Sequence, residues 1–582
     1  MDIRLMAGAA ASPQERSAVD RALDGAGPGR RDLLLPALHA LQGSAGWISP
    51  GGLNHVCERL NVPPAEAFGV ASFYAMFSTE RRPARVVHVC DDITCRGAGA
   101  EELCAALSKR LGPEGRAWHR SPCLGQCERA PAALLQASGD EPREWSLAPA
   151  GADAVAEALA QGTPAGPPAP PVVPQTEGLR LLRRVNRIDP ERLDAYRAAG
   201  GYEALRRALE LGPQGIVREV IDSRLVGRGG AAFPTGRKWE AVARAAVRPH
   251  YFVLNADESE PGTFKDRVLM EGDPFAVIEA MTIAGIATGS ERGFIYVRGE
   301  YPLAAARLSN AIAQARTAEL LGDRVRFDVE LRRGAGAYIC GEETALFNSI
   351  EGLRGEPRQK PPYPVEAGLF GQPTAINNVE TLVNVLDIVR DGGRAFASVG
   401  SGSSTGTKLF CLSGTVARPG LYEVPFGTTL GDLLRMAGAS ADVRAVLLGG
   451  AAGTFVTPEE FGVPLTFEGT RAIGASLGSG VVLAFDGRTD WPGILLRIAA
   501  FFRDESCGQC VPCRVGTVRQ EEGLRRLAIG HPLGTVKQEH TLLDEIGQVM
   551  RDASICGLGQ TASSAVMSAI RKLGVFREGG QP

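Results

Sequence analysis

The chain has 582 residues, 44% of them hydrophobic and 22% charged, and a net charge of -3. That length exceeds one ordinary domain and sets an expectation of about three to five. The near balance of charge speaks against a nucleic-acid footprint or a polybasic membrane anchor, and no apolar run reaches the roughly 20 residues of a membrane helix. The N-terminus, MDIRLMAGAAASPQERS, has no long apolar core behind Arg4. It does not read as a signal peptide, so the chain is expected to be cytoplasmic, with no direct membrane insertion.

Residues 14–75 read as helical, because RDLLLPALHALQ and GGLNHVCERL carry apolar residues at helical spacing. The character changes over 85–160. RVVHVC and AALLQA are short strand-like runs, and helical stretches lie between and after them, which predicts a small α/β domain. GTPAGPPAPPVVP, residues 162–174, holds six prolines and predicts an extended, semi-rigid linker. Residues 178–400 read as α/β, with YFVLNAD and GFIYVRG as strands and AVIEAMTIAGIATG as an apolar helix between them. TKLFCLSG, GLYEVP, AVLLGG and GVVLAFDG make 406–488 a β-rich stretch, to which GTTLGDLLRMAG adds one helix. The tail from 490 is helical again.

Twelve cysteines are present. In a reducing compartment disulfides are not expected, so clustered cysteines point to metal. Cys57, Cys104, Cys340 and Cys411 stand singly in apolar surroundings and read as buried, inert thiols. The other eight form two groups.

CDDITC gives Cys90 and Cys95; CLGQC gives Cys123 and Cys127. Four thiolates on loops suit either zinc or an iron-sulfur cluster, and spacing alone leaves both open. The surrounding sequence, VCDDITCRGAGA followed by SPCLGQCERAPA, resembles the thioredoxin-like 2Fe-2S subunit of respiratory complex I and its soluble relatives. The preceding FGVASFYAMFS is similar to that family too. The resemblance covers roughly 25–160 and implies a 2Fe-2S cluster on Cys90, Cys95, Cys123 and Cys127.

ESCGQCVPCRVGT sets Cys507, Cys510 and Cys513 at two-residue intervals, with Cys556 remote in ASICGLGQTA. Three ligands in one turn and a distant fourth suit a 4Fe-4S cubane. A zinc site more often uses two separated pairs.

GRGGAAFPTGRKW, Gly227 to Trp239, is a glycine loop opening a helix, with Arg228, Arg237 and Lys238 adding positive charge. Such a loop cradles phosphate or flavin, although alone it is weak evidence. It is joined by NADESEPGTFKDR after a strand, by GAGAYICGEETALFNSIEG, and by RQKPPYPVEAGLFGQPTAINNVETL. In this order the four segments resemble the FMN- and NADH-binding subunit of complex I and the matching diaphorase subunits, over about 180–582. The β-rich stretch resembles that family's ubiquitin-like domain.

By position, the resemblance implies that Gly227, Gly229, Gly230, Lys238, Asn255, Asp257, Glu258, Gly341, Asn377 and Asn378 line FMN. It implies that Phe233 and Tyr363 stack on the adenine, with Glu260, Glu342 and Glu343 near the nucleotide. The family usually has Gly where Ala232 stands and often an aromatic where Ala241 stands. No side chain is assigned a chemical step.

The expected fold is multidomain α/β. Its segments are a helical N-terminal region (1–80), a thioredoxin-like 2Fe-2S domain (81–160), a linker (161–177), an FMN- and NADH-binding α/β domain (178–400), a ubiquitin-like domain (401–488) and a helical 4Fe-4S domain (489–582). The implied activity is that of an NADH:acceptor oxidoreductase using NAD(H), FMN, one 4Fe-4S and one 2Fe-2S cluster. Partner subunits are expected because nothing in the chain handles a final substrate. The fusion of both modules and the ASICGLGQTA ending favour a soluble formate dehydrogenase with a molybdopterin subunit. An NAD-reducing hydrogenase and complex I are the alternative hosts, and a non-catalytic zinc scaffold is the alternative of another class.

Overall fold

A computed structural model describes residues 8–27, 29–163 and 166–577. The first seven residues, on which the signal-peptide reading partly rests, lie outside them, as do two linker residues and the last five.

Four helices, Pro13–Ala22, Leu34–Ala45, Pro50–Leu60 and Pro64–Ala71, open the chain. Ser12 and Ser49 cap the first and third, each accepting backbone N–H groups that the helix start leaves free. Next comes a four-stranded sheet in the order β2-β1-β3-β4. Its strands are β1 (Arg85–Cys90), β2 (Trp118–Ser121), β3 (Ala133–Ala137) and β4 (Arg143–Leu147). Only β1 and β2 run parallel.

The largest unit is a parallel sheet of β5 (Tyr251–Ala256), β6 (Arg292–Val297), β7 (Asp328–Arg333) and β8 (Thr374–Asn378), in the order β7-β6-β5-β8. From β5 the chain builds outward through β6 and β7, then returns to place β8 on the other side of β5. Strand order therefore reverses between β5 and β8, and ligands of such sheets bind beyond the strand C-termini at that point. The helix Pro274–Thr288 is buried on almost every face, as its continuous apolar sequence requires.

The next sheet has the order β10-β9-β13-β11-β12, from β9 (Thr407–Gly414), β10 (Gly420–Pro425), β11 (Val443–Leu448), β12 (Thr454–Val456) and β13 (Val481–Asp486), with the helix Leu430–Met436. Three longer helices, Trp491–Asp504, Val511–Ala528 and Val536–Ala553, and three short helical segments, the last a π-helical turn over Ala569–Leu573, close the described chain. No helix among the described residues is long and apolar enough to cross a membrane.

The proline segment does not hang free. The Val172 carbonyl accepts the Leu421 N–H at 2.9 Å, and the Glu423 carboxylate accepts the N–H groups of Arg180, Leu181 and Leu182. The chain is thus strapped along β10. The N-terminal helices are anchored as firmly: Tyr74 donates to Ser349 at 2.7 Å, and Asp32 takes Arg332 at 3.0 Å.

Candidate functional site

A cavity of about 700 Å³ opens beyond the ends of β5 and β8, within the usual size range for a small-molecule site. The glycine loop forms one wall. The helix Thr235–Arg244 follows it and carries Lys238 in its first turns, where helix N–H groups favour an anion. Lys238 Nζ donates to the Ile376 carbonyl at 3.1 Å and lies 3.6 Å from Glu343. Burial pulls its pKa below the ordinary value, and the Glu343 charge opposes that. Asn255 reaches across the floor to the Gly341 carbonyl at 2.8 Å. Asn377 is held by the Trp239 indole N–H at 2.7 Å. Asn378 caps the helix Val379–Asp391 and donates to Asp266 at 2.6 Å.

Phe233 and Tyr363 also line the cavity and are 53% and 54% exposed. Two aromatic rings left in water beside a cavity offer planar surfaces to a ligand. Glu342 and Glu343 line it as well, bridged by Lys360 at 2.9 and 2.7 Å. Glu342 additionally caps the helix Glu343–Ile350. Gly227, Gly229 and Gly341 complete the expected lining. A Cβ on Gly229 would sit 3.2 Å from the Asn378 Cβ, so the backbone itself forms that wall.

Four expected residues stand elsewhere. Gly230 turns at φ +119°, and the nearest atom to a Cβ there is the Gly478 carbonyl carbon, not a cavity atom. Asp257 lies behind Gly341, its Oδ2 without a hydrogen-bond partner among the described residues. Glu258 is buried and spends its carboxylate on the N–H groups of Asp266 and Arg267, at the start of the helix Lys265–Gly272. Glu260 accepts from the Tyr338 hydroxyl at 2.6 Å and the Ala452 N–H at 2.9 Å. Gly230 lies between the lining residues Gly229 and Ala231, whereas Asp257, Glu258 and Glu260 follow Asn255 in a turn that leads away from the cavity. Arg228, expected to add charge to the cradle, is buried instead against the Thr405 carbonyl and the Phe426 ring.

Burial pushes the Glu260 carboxyl up from 4.5 to about 7, against the two hydrogen bonds that favour its charged form. Folded Glu260 therefore holds a proton that the unfolded chain has lost, and its contribution to stability falls as pH rises from 4.5 through about 7. The difference is worth up to about 3 kcal/mol. Glu260→Gln, neutral throughout, should gain on wild type as pH rises. Melting temperatures across about pH 5 to 8 test this, and a constant gap between the two proteins would contradict it.

The eight clustered cysteines form two quartets. Cys90 ends β1, Cys95 lies in the helix Ile93–Gly97, and Cys123 and Cys127 flank a tight loop, their sulfurs 3.4 Å apart. The Gly125 N–H points at the Cys123 sulfur at 3.4 Å, a contact that offsets thiolate charge. Gly125 is at φ +65°, and a Cβ there would collide with Tyr301, so glycine is required. Cys507, Cys510, Cys513 and Cys556 ring a small hollow with Ile339, Ser506 and Leu558. Cys510 and Cys556 precede the helices Val511–Ala528 and Gly557–Thr561, whose N-termini suit an anionic cluster.

Comparison with known proteins gives these features a family. Residues 220–387 match the Nuo51 FMN-binding domain, 20–143 the thioredoxin-like [2Fe-2S] ferredoxin, 493–578 the NADH-ubiquinone oxidoreductase-F iron-sulfur binding region, and 409–445 the SLBB domain. The second NADH-quinone oxidoreductase F subunit of Rhizobium meliloti (strain 1021) is 44% identical over 402 residues, which are 67% of this chain and 94% of that protein. The chain belongs to the family of NADH-quinone oxidoreductase F subunits. Another relative is the NADP-reducing hydrogenase subunit HndC of Solidesulfovibrio fructosivorans, 41% identical over 66% of this chain and 79% of that one. A solved NAD+-reducing [NiFe]-hydrogenase, in its air-oxidized state, aligns over 97% of this chain and 94% of its own, at 33% identity and TM-score 0.81.

The domains of this NADH-quinone oxidoreductase family member are therefore FMN-binding, 2Fe-2S and 4Fe-4S, and the domains matched around the two quartets are iron-sulfur rather than zinc domains. The cavity fits FMN: amides at its floor, cations at a helix start and a backbone wall at Gly229 are what a flavin and its phosphate need. Ala232 adopts φ +51°, which explains the glycine usual in the family; an L side chain there costs about 1–2 kcal/mol. Ala241 lines the cavity where the family often has a ring. Sequence reasoning missed Lys360, Val365, Ile376 and Thr381 in the lining. It also missed the Tyr338 hydroxyl that holds Glu260 away from the cavity, though this tyrosine lies inside the quoted segment GAGAYICGEE.

Proposed function

We propose that this chain oxidises NADH at the cavity and passes the electrons, one at a time, to partner subunits of a larger redox complex. The observation that carries the reading is a cavity at the β5/β8 reversal in a chain that also carries two cysteine quartets. FMN, when bound, supplies the exchange between a hydride and single electrons. The chain's own residues hold and orient. Lys238 and the start of its helix take the phosphate end; Asn255, Asn377 and Asn378 fix the ring edge by hydrogen bonds. Phe233 and Tyr363 take the adenine face at the open mouth, with Glu342 and Glu343 beside the nucleotide. No side chain needs to donate a proton for the hydride step. Cys90, Cys95, Cys123 and Cys127 hold the 2Fe-2S cluster, and Cys507, Cys510, Cys513 and Cys556 the 4Fe-4S cluster.

The favoured host is a formate dehydrogenase, on the fusion of the two modules and the ASICGLGQTA ending. A hydrogenase host is the second reading, favoured by the near full-length likeness to the hydrogenase chain. Anaerobically purified protein should release FMN on acid treatment and reduce ferricyanide with NADH. Colourless protein without flavin would overturn the reading. The co-purifying complex separates the hosts: molybdenum with formate-dependent NAD+ reduction against nickel with hydrogen-dependent reduction.

A further inference from the structure

Two guanidinium groups of the FMN-binding domain end on the loop that carries Cys123 and Cys127. Arg298, just past the end of β6, is 2% exposed. Its Nη2 donates to the Cys123 carbonyl at 2.6 Å and to Glu300 at 2.8 Å, and its Nη1 donates to the Glu258 carbonyl at 2.6 Å. The Tyr301 ring lies 4.9 Å from the guanidinium carbon. Arg267, 1% exposed, donates from Nε to the Gly125 carbonyl at 2.8 Å, and its other nitrogens meet Glu128 and Glu271.

The two cations are not equivalent. Arg267 faces two carboxylates, one of them Glu128 on the cluster loop itself. Among the described residues Arg298 has one carboxylate within ion-pair distance, Glu300, which is 8% exposed and whose Oε2 has no hydrogen-bond partner there, while the Asp257 and Glu505 carboxyls feel its charge from farther away. Cys90, Cys95, Cys123 and Cys127 are between 1% and 5% exposed. Water and salt therefore screen little of the field between Arg298 and whatever these thiolates hold.

We propose that Arg298 is a positioning residue that sets the reduction potential of the 2Fe-2S cluster from the neighbouring domain. On reduction the cluster gains one electron, supplied by NADH, and hence one negative charge. A buried cation hydrogen-bonded to a ligand's own carbonyl stabilises that charge, and charge and hydrogen bonding are the levers that set cluster potentials. Arg298 thereby makes the 2Fe-2S cluster a better electron acceptor only while the two domains are docked. Glu300 trims the effect by partly neutralising the guanidinium.

The test is an anaerobic redox titration of the full chain, followed by electron paramagnetic resonance, in wild type, Arg298→Met, Arg298→Lys and Glu300→Gln. The 2Fe-2S midpoint should fall by about 59 mV or more in Arg298→Met, a tenfold change in the reduction equilibrium of a one-electron centre. Arg298→Lys should restore most of the shift, and Glu300→Gln should move the midpoint up. The 4Fe-4S midpoint should move less in each. An unmoved midpoint in Arg298→Met with its 2Fe-2S signal intact overturns the proposal, as do equal shifts of both clusters or shifts of one sign in Arg298→Met and Glu300→Gln. If Arg298→Met loses the cluster, Glu300→Gln, which keeps the shape of the residue, decides by the sign of its shift. The proposal rests on the four assigned ligands. Wild-type protein without a 2Fe-2S signal would overturn that assignment too, whereas a normal wild-type signal with unmoved variants overturns the tuning alone.

Discussion

Replacing Cys510 with Ala should leave NADH–ferricyanide activity largely intact and abolish electron flow to the partner's catalytic subunit. The two quartets differ in access. Cys507, Cys510 and Cys556 are partly exposed, whereas the first quartet is buried between domains. Only the former stands where a partner protein can come close, so the 4Fe-4S cluster is the expected exit. Hydride removal from NADH needs the cavity alone, and ferricyanide, a small oxidant, takes electrons near it. Replacing Cys123 should impair partner-linked turnover much less. Both activities measured in both variants decide the matter. If the Cys123 variant loses partner-linked turnover and the Cys510 variant keeps it, the route is reversed. Flavin content and melting temperature in each variant guard against a folding defect being read as an electron-transfer defect.

Gly229→Leu should lose flavin and NADH oxidation together while keeping both cluster signals. The first added carbon would already lie 3.2 Å from Asn378, and the rest of the side chain would enter the space above the amide floor. Overpacking of this kind costs about 1–3 kcal/mol, which is about 5- to 160-fold in affinity. The effect is local because Gly229 lines the cavity and neither quartet touches it. Full flavin occupancy and normal activity in this variant would remove the cavity from the reading. Loss of the cluster signals as well would mean that the domain had failed to fold.

The strands readable from sequence and those that escaped it divide largely by position. β1, β3, β5, β6, β9, β11 and β13 are interior strands of their sheets and mostly buried, so they appear as apolar runs such as YFVLNA and VVLAFD. β10 lies at an edge, but the linker runs along it and GLYEVP still reads as a strand. β2, β4, β7, β8 and β12 are edge strands too. WHRS, REWSL and DVELRR carry charges there because one side meets solvent or another domain, and that composition hides the strand. β8 is hidden for a further reason. Its TAINN ends in the two amides that floor the cavity, where binding chemistry overrides strand composition.

Local sequence by itself determined where the candidate cofactor ligands cluster, and family resemblance chose iron-sulfur over zinc at the paired cysteines and flavin at the glycine loop. C-x2-C-x2-C with a remote cysteine, the paired cysteines at 90–95 and 123–127, and a glycine loop opening a helix are short-range patterns, each set by the ligand that it must meet. The family resemblance marked Ala232 as unusual, and the left-handed backbone there gives the reason. Only the tertiary structure decided which way each neighbour in the NADESE turn faces. That depends on what packs behind it: Gly341 in front of Asp257, a helix start against Glu258, and Tyr338 with Ala452 on Glu260. Only the tertiary structure brought Arg298 onto the carbonyl of Cys123, 175 positions away. Contacts of that range are chosen by the docking of whole domains, whose faces are assembled from residues scattered along the chain, and no local spacing records them.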